Sequence, residues 1–279
     1  MNYLKHFGLR ELPFGITPDT SYFFACPSIQ EALNTLLVAV SNGEGFIKIT
    51  GEVGTGKTLL CRKFLSTLGP GWVSAYIPNP NLEPRGLLLA LAEELGITGE
   101  LVEPHRLEKE LVQRLLDVAR QGKRVILCMD ETQAMALATL ETVRLLTNLE
   151  TEKRKLMHVV LFGQPELDRK LASEAVRQLR QRITFQHTLK ALGRGEIADY
   201  VAHRLTIAGY SGSALFADGA LKLMHVASRG IPRLVNILAH KSLLLVYGEG
   251  GYRVERRHLR AAAEDTPSAS APWWWWKAA

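Results

Sequence analysis

Gly51-Glu52-Val53-Gly54-Thr55-Gly56-Lys57-Thr58 fits the spacing G-x-x-x-x-G-K-[ST] at every fixed position. These residue types suit a polyphosphate. Backbone N–H groups at a helix N-terminus form a concave anion cradle. Gly51, Gly54 and Gly56 let the chain approach phosphate oxygens and take positive φ where needed. Lys57 supplies a mobile positive charge to the β and γ phosphates, and Thr58 a hydroxyl to Mg²⁺. The run from Gly51 to Leu59, with Glu52, Val53 and Thr55 inside it, is therefore the expected nucleotide-binding segment. The bland alternative is a glycine-rich turn that happens to precede Lys57-Thr58. The flanks argue against it, because Phe46 to Thr50 reads as a short buried strand and LLCRKFLSTLG as a helix closed at Gly69.

Hydrolysis needs a carboxylate in the Mg²⁺ shell and a base for water. The apolar run Val-Ile-Leu-Cys-Met ends in Asp130-Glu131. Asp130 is the expected Mg²⁺ carboxylate, direct or through water, and Glu131 the expected base; the alternative is an acidic helix cap after a core strand. Gln164 follows the next apolar strand, where a side-chain amide lies between γ phosphate and water, or is simply a polar residue in the turn before Pro165. Arg177, Arg180 and Arg182 precede the fifth strand. A guanidinium offered to a neighbouring subunit's γ phosphate makes hydrolysis depend on assembly, with Arg182 the first candidate and Arg180 the second. An ordinary basic helix is the competing reading. Gly230-Ile231-Pro232-Arg233 opens a helix whose Arg233 is a candidate to reach back to the nucleotide. The eight histidines are scattered without metal spacing, so none is assigned a metal or catalytic role.

These residues need a scaffold. Strands are expected at Phe46–Thr50, Trp72–Ile77, Val125–Met129, His158–Phe162 and Ile183–Leu189. Helices are expected from Ser28 (with Glu31 as a capping box), at Gly86–Leu95, Pro104–Arg120, Leu137–Glu150 and Ala175–Gln181. Alternation of this kind means a parallel α/β sheet covered on both faces. From Gly195 onward the pattern is helical, at 195–208, 217–229, 232–247 and 255–264. The expected organisation is an irregular, aromatic- and proline-rich segment over 1–27 packed on the core, an αβ core over 28–192, a helical lid over 193–265, and a low-complexity tail over 266–279. The N-terminal aromatics serve core packing, or line an adenine pocket. Trp273 to Trp276 read either as interface-seeking residues or as a disordered tail.

Composition sets wider bounds. The chain has 279 residues, 47% hydrophobic, enough for one large or two modest cores. A net charge of +6 permits an anionic partner without requiring one, since the basic residues are dispersed. Cys26, Cys61 and Cys128 are widely spaced and odd in number, which suits a reducing compartment, and Cys61 and Cys128 read as small core residues. No signal-peptide core and no run of about 18 apolar residues is present, so a cytoplasmic protein without a transmembrane span is expected.

Taken together, GEVGTGKT, MDETQAM, LLTNLETEKRKL, VVLFGQPEL, LRQRI and GIPRLVNIL resemble the AAA+ ATPases of the general secretion pathway protein A (ExeA/GspA) group, over roughly residues 1 to 264. FGLRELPFGITPDT, GFIKITGEVGTGKTLLCRK and YIPNP look closest to its pilus-biogenesis members. The resemblance implies a P-loop AAA+ three-layer sandwich with strand order 5-1-4-3-2 and a C-terminal helical lid. It makes Lys57 and Thr58 the phosphate and Mg²⁺ residues, and Asp130 and Glu131 the Walker B pair. Gln164 resembles the sensor-1 position and Arg233 the sensor-2 position. The implied cofactors are ATP and Mg²⁺. The implied partners are further copies of the chain, as in a nucleotide-dependent ring such as a hexamer, and pilus or secretion assembly proteins at the inner membrane. The group commonly has Asp-Glu-Ala-Gln where this chain has Asp130-Glu131-Thr132-Gln133, a change that keeps both carboxylates. Relatives carry a transmembrane helix and a peptidoglycan-binding region after the ATPase. The present residues end after the lid, so a membrane role is expected through partners or the tail.

Two rival functions share this core. One is a DNA-associated ATPase of the transposition or replication-initiator kind; the basic charge fits it, but no helix-turn-helix is read after the lid. The other is a nucleotide-gated scaffold with little turnover, against which Glu131 argues, because a pure switch needs no base.

Overall fold

The structure is a computed structural model. It describes residues 3–98, 104–150 and 155–270; the four tryptophans lie outside the described residues. In chain order the elements open with helix α1 (Tyr3–Phe7), helix α2 (Pro27–Ser41), strand β1 (Phe46–Gly51), helix α3 (Lys57–Thr67) and strand β2 (Trp72–Ile77). Helices α4 (Pro84–Glu94) and α5 (Pro104–Arg120), strand β3 (Arg124–Met129), helix α6 (Leu137–Leu146) and strand β4 (Met157–Gly163) follow. The short helices α7 (Glu166–Leu171) and α8 (Arg177–Arg182) lead to strand β5 (Ile183–Leu189). The chain then becomes helical: α9 (Glu196–Ile207), α10 (Asp218–Ser228), α11 (Pro232–Gly248) and α12 (Arg256–Glu264).

Two compact units result. One comprises Pro27–Glu52 and Lys57–Leu189; the other comprises Met1–Cys26, Val53–Gly56 and Lys190–Ala279. In the αβ unit the five strands are all parallel, in the order β2-β3-β4-β1-β5. That is the expected 5-1-4-3-2 order read from the other edge. The central strands β1, β3 and β4 are buried on both faces, so they are nearly continuous apolar runs whose residues alternate between two cores, whereas β5 at one edge alternates half-buried and exposed residues. Ile126, Cys128, Val160 and Phe162 point to a core shared with Leu36 of α2 and Leu60 and Phe64 of α3. Val125, Leu127, Met129, Val159 and Leu161 point to the opposite core, with Leu91 of α4, Leu111 of α5 and Leu140 of α6. Each buried large side chain contributes roughly 1.5–3 kcal/mol of transfer free energy, which holds the three layers together. Cys61 and Cys128 are buried free thiols of the first core, as expected of small apolar fillers.

The helical unit packs α9 to α12 together with the N-terminal segment. That segment, expected to lie on the αβ core, groups instead with these helices. A buried arginine explains the attachment. Arg204 Nε donates to Pro13 O at 2.6 Å and Nη2 to Gly15 O at 3.2 Å, while the guanidinium lies 4.5 Å over the Tyr22 ring. Asn236 Nδ2 also donates to Gly15 O, at 3.2 Å. The N-terminal aromatics serve this packing: Phe24 meets Tyr200 edge-on, 5.6 Å between centroids.

Local differences from the sequence reading have local causes. α6 stops at Leu146, four residues short of Glu150, and Glu150 instead forms an isolated antiparallel bridge with Lys155. The expected Ala175–Gln181 helix divides into a 3₁₀ turn, Glu174–Val176, followed by α8. α7 went unread because six residues after Pro165 are too few to display a helical period.

Candidate functional site

Parallel order brings the carboxyl ends of β1, β3 and β4 side by side. Thr50 pairs with Gly163 and Met129 with Leu161, so Gly51, Asp130 and Gln164 emerge at one edge of the sheet. Ligands of open α/β sheets bind at that edge. β4 lies between β1 and β3, which sets Gln164 between the glycine loop and the two carboxylates.

One side of the site consists of buried charge. Lys57 opens α3 and is only 5% exposed. Its Nζ donates to Gly51 O at 2.8 Å and Glu52 O at 2.9 Å. Burial pushes this ammonium below the ordinary lysine range, against the pull of the Glu131, Asp130, Glu52 and Glu166 carboxylates. Thr58 Oγ1 donates to Asp130 Oδ2. Asp130 is 2% exposed, and burial raises its carboxyl above the usual range, although Thr58, the Glu131 N–H (2.9 Å to Oδ1) and Lys57 oppose the shift. A buried ammonium beside loop carbonyls fits an anionic polyphosphate. A hydroxyl touching a carboxylate fits a small hard cation, which characteristically takes one or two carboxylates and fills its shell with phosphate and water. Among the described residues no cluster of three His, Cys, Asp or Glu side chains forms a separate metal cage.

The loop geometry agrees. Gly54 and Gly56 have φ of 82° and 99°, a region that L side chains avoid. Gly54 has a second reason to be glycine. Its carbonyl accepts from Arg233 N–H at 3.2 Å, and a Cβ there would lie 2.6 Å from Arg233 Cβ. Loop tip and Arg233 belong to the same compact unit. Pro232 starts α11, as suits the first helical position, and Arg233 is exposed. Glu52 and Val53 are exposed, Thr55 is buried, and Leu59 is half-buried one turn into α3.

The other side is built from amides around one carboxylate. Glu131 has φ 52° and ψ 35°, a left-handed conformation that costs a non-glycine residue about 1–2 kcal/mol and is retained where surrounding structure dictates it. Here a 3₁₀ turn, Thr132–Ala134, dictates it. Thr132 Oγ1 donates to Phe162 O at 2.8 Å, pinning the turn to β4. Gly163 leaves the room, since a Cβ there would sit 2.8 Å from that hydroxyl. Glu131 Oε2 accepts from Gln164 Nε2 at 2.9 Å and from Gln133 Nε2 at 2.5 Å. Gln133 Oε1 in turn accepts from Gln164 N–H at 3.0 Å. Lys170 of α7 donates to Gln133 O at 2.6 Å and Met135 O at 2.5 Å. Gln133 and Lys170 escaped the sequence reading. Gln133 lay two residues past the paired carboxylates, but only the adjacency of β3 and β4 shows what its amide touches.

The arginines separate. Arg182 Nη1 donates to Arg144 O at 3.4 Å and Thr147 Oγ1 at 3.2 Å, closing the carboxyl end of α6. Arg177 pairs with Glu174 at 3.7 Å. Arg180 is exposed, and among the described residues its guanidinium has no hydrogen-bond or ion-pair partner.

Lys57, the Thr58–Asp130 pair and Glu131 thus meet at the carboxyl edge of a sheet with the strand order of the P-loop AAA+ fold. The model of the AAA domain family matches residues 40–171. Over 262 residues, 94% of the chain, the sequence is 38% identical to the general secretion pathway protein A of Aeromonas hydrophila. The chain spans about half, 48%, of that relative's length. Solved structures of the same fold include the Aeropyrum pernix ORC2 protein (TM-score 0.67, 16% identity, 94% of this chain and 75% of that one). Cdc6p from Pyrobaculum aerophilum superposes with a TM-score of 0.68 at 17% identity over 88% and 70% of the two chains. The Thermotoga maritima RuvB Holliday junction branch migration motor follows at 0.57 and 17%, over 87% and 70%. Among the described residues no helix is long and apolar enough to cross a membrane.

Proposed function

We propose that the chain binds Mg-ATP and hydrolyses it, with Glu131 as general base. The observation that carries this reading is the carboxylate of Glu131 held by the Gln164 amide beside the Lys57–Thr58–Asp130 cluster. In this reading Lys57 leaves the loop carbonyls for the β and γ phosphates. Thr58 and Asp130 would hold Mg²⁺, which would draw off charge developing on the phosphate oxygens. Glu131 takes the proton of the attacking water, and Gln164 orients that water against the γ phosphate. Gly51 to Leu59 supply the nucleotide cradle, and residues 193–265 act as the lid, with Arg233 as its nucleotide-facing arginine.

We infer further that turnover requires self-assembly, as in a ring, with a guanidinium of α8 reaching a neighbouring copy's nucleotide. Arg180 is the better candidate, because Arg182 is already engaged on α6. The biological setting we propose is assembly of a pilus or secretion apparatus at the inner membrane, by a cytoplasmic protein acting through partners. Within the group, FGLRELPFGITPDT, GFIKITGEVGTGKTLLCRK and YIPNP favour MshM, the ATPase of mannose-sensitive haemagglutinin (type IV) pilus biogenesis.

The test is ATP turnover against protein concentration, with and without duplex DNA at physiological salt. Specific activity that rises with concentration and ignores DNA supports a self-assembling ATPase with protein partners. Strong, salt-resistant stimulation by DNA would put the transposition or replication-initiator reading first. Activity independent of concentration would sink the requirement for assembly.

A further inference from the structure

Gln133 is the residue of this site with no assigned role and the most specific geometry. Its side-chain amide is used at both ends, Nε2 donating to Glu131 Oε2 at 2.5 Å and Oε1 accepting from Gln164 N–H at 3.0 Å. Its main-chain carbonyl is used as well, accepting from Lys170 Nζ at 2.6 Å. The amide therefore spans from the end of β3 to the end of β4. Gln164 completes the ring by donating its own Nε2 to the same Glu131 oxygen at 2.9 Å. Both donors fall on Oε2, and among the described residues no hydrogen bond is made to Oε1.

We propose that Gln133 is a positioning residue that clips the base to the water-orienting amide. It holds the Glu131 carboxylate by one oxygen so that Oε1 carries the free lone pairs, and it fixes the Gln164 backbone so that both groups present one geometry to water. This rests on the reading of Glu131 as base. The physical reason is orientation. Glu131 leaves the backbone in a left-handed conformation, and its flexible side chain would otherwise sample several rotamers. Two amide donors on one oxygen select one of them. Lys170, from a different element, keeps the clip from rotating with the 3₁₀ turn.

The experiment is steady-state ATP turnover and ATP-analogue binding for Gln133→Met, Gln133→Glu, Gln164→Met, the Gln133→Met/Gln164→Met double variant and Glu131→Gln. Gln133→Met keeps the length of the side chain and removes both hydrogen bonds. Its kcat should fall about 10- to 100-fold with KM and analogue Kd within about twofold of wild type. The double variant should lose little beyond the poorer single variant, since both substitutions break one clip. Gln133→Glu is nearly isosteric and puts a second carboxylate against Glu131. It offers no amide N–H to Glu131 Oε2, so its kcat should fall at least as far as that of Gln133→Met while analogue binding is kept. If Gln133→Met retains kcat within about twofold of wild type, or loses only nucleotide affinity, the clip is overturned. Wild-type kcat in Gln133→Glu overturns it too. An inactive Glu131→Gln beside an active Gln133→Met refutes the clip alone, whereas wild-type turnover in Glu131→Gln refutes the base itself.

Discussion

The two halves of the proposed nucleotide site solve opposite problems. At the phosphate half, charge is buried at an electrostatic cost: Lys57 is pushed down and Asp130 up, each by desolvation first. At the hydrolytic half, a half-buried carboxylate is surrounded by neutral amides that cost little to bury when fully hydrogen-bonded. Under the proposed function, the difference separates affinity from turnover. In that reading, a bound anion and cation would offset the cost of burying Lys57 and Asp130. The hydrolytic half is already built, so its contribution is geometry.

Four substitutions sharpen or break that division. Lys57→Ala should weaken ATP binding by at least about 100-fold, the scale of a lost charge-assisted contact of roughly 3 kcal/mol, in a fluorescent-analogue titration. Retained tight affinity would remove the loop from the phosphate site. Glu131→Gln should bind the nucleotide normally and lose about 10²- to 10⁴-fold in single-turnover hydrolysis, as expected for a general base. Arg180→Ala should cut turnover at least about 10-fold only at concentrations where the wild type assembles, with binding spared. The companion Arg182→Ala should lower thermal stability, through the carboxyl end of α6, by about 0.5–1.5 kcal/mol. If Arg182→Ala instead abolishes turnover in a stably folded protein, the order of the two arginines reverses.

The smallest effect is the most diagnostic of buried cost. The Asp130 carboxyl is raised above its ordinary value in the fold, so the folded chain holds that proton more tightly than the unfolded chain. The associated stability is complete below the usual carboxylate range and is lost as pH rises through the raised folded value. At about pH 7 the ionised Asp130 therefore opposes folding of the nucleotide-free protein. Asp130→Asn should raise the nucleotide-free Tm at neutral pH, with the gain shrinking toward acid pH, while Mg²⁺-dependent nucleotide binding weakens. A lower Tm at neutral pH would show that Asp130 is held by Thr58 and Lys57 more strongly than burial opposes it.

Much of this molecule was determined by the sequence alone, wherever a signal is local. Trp72–Ile77, Ile183–Leu189 and Pro104–Arg120 have the predicted bounds, since strand alternation and helix caps act within one element. The glycine loop was legible because its spacing encodes a backbone shape, seen in the positive φ of Gly54 and Gly56. Asp130 and Glu131 were legible as polar residues ending a buried strand. What remained needed strand order. β4 lies between β1 and β3 in space though it follows β3 in the chain, and that insertion alone brings Gln164 and Gln133 onto Glu131. Side-chain direction on α8, which occupies Arg182 and exposes Arg180, was likewise decided by packing against α6. So was the attachment of the N-terminal segment, through a buried arginine some 190 residues away in sequence. Hydrogen bonds between distant residues leave no periodicity in either partner's sequence, so only the tertiary structure could assign them.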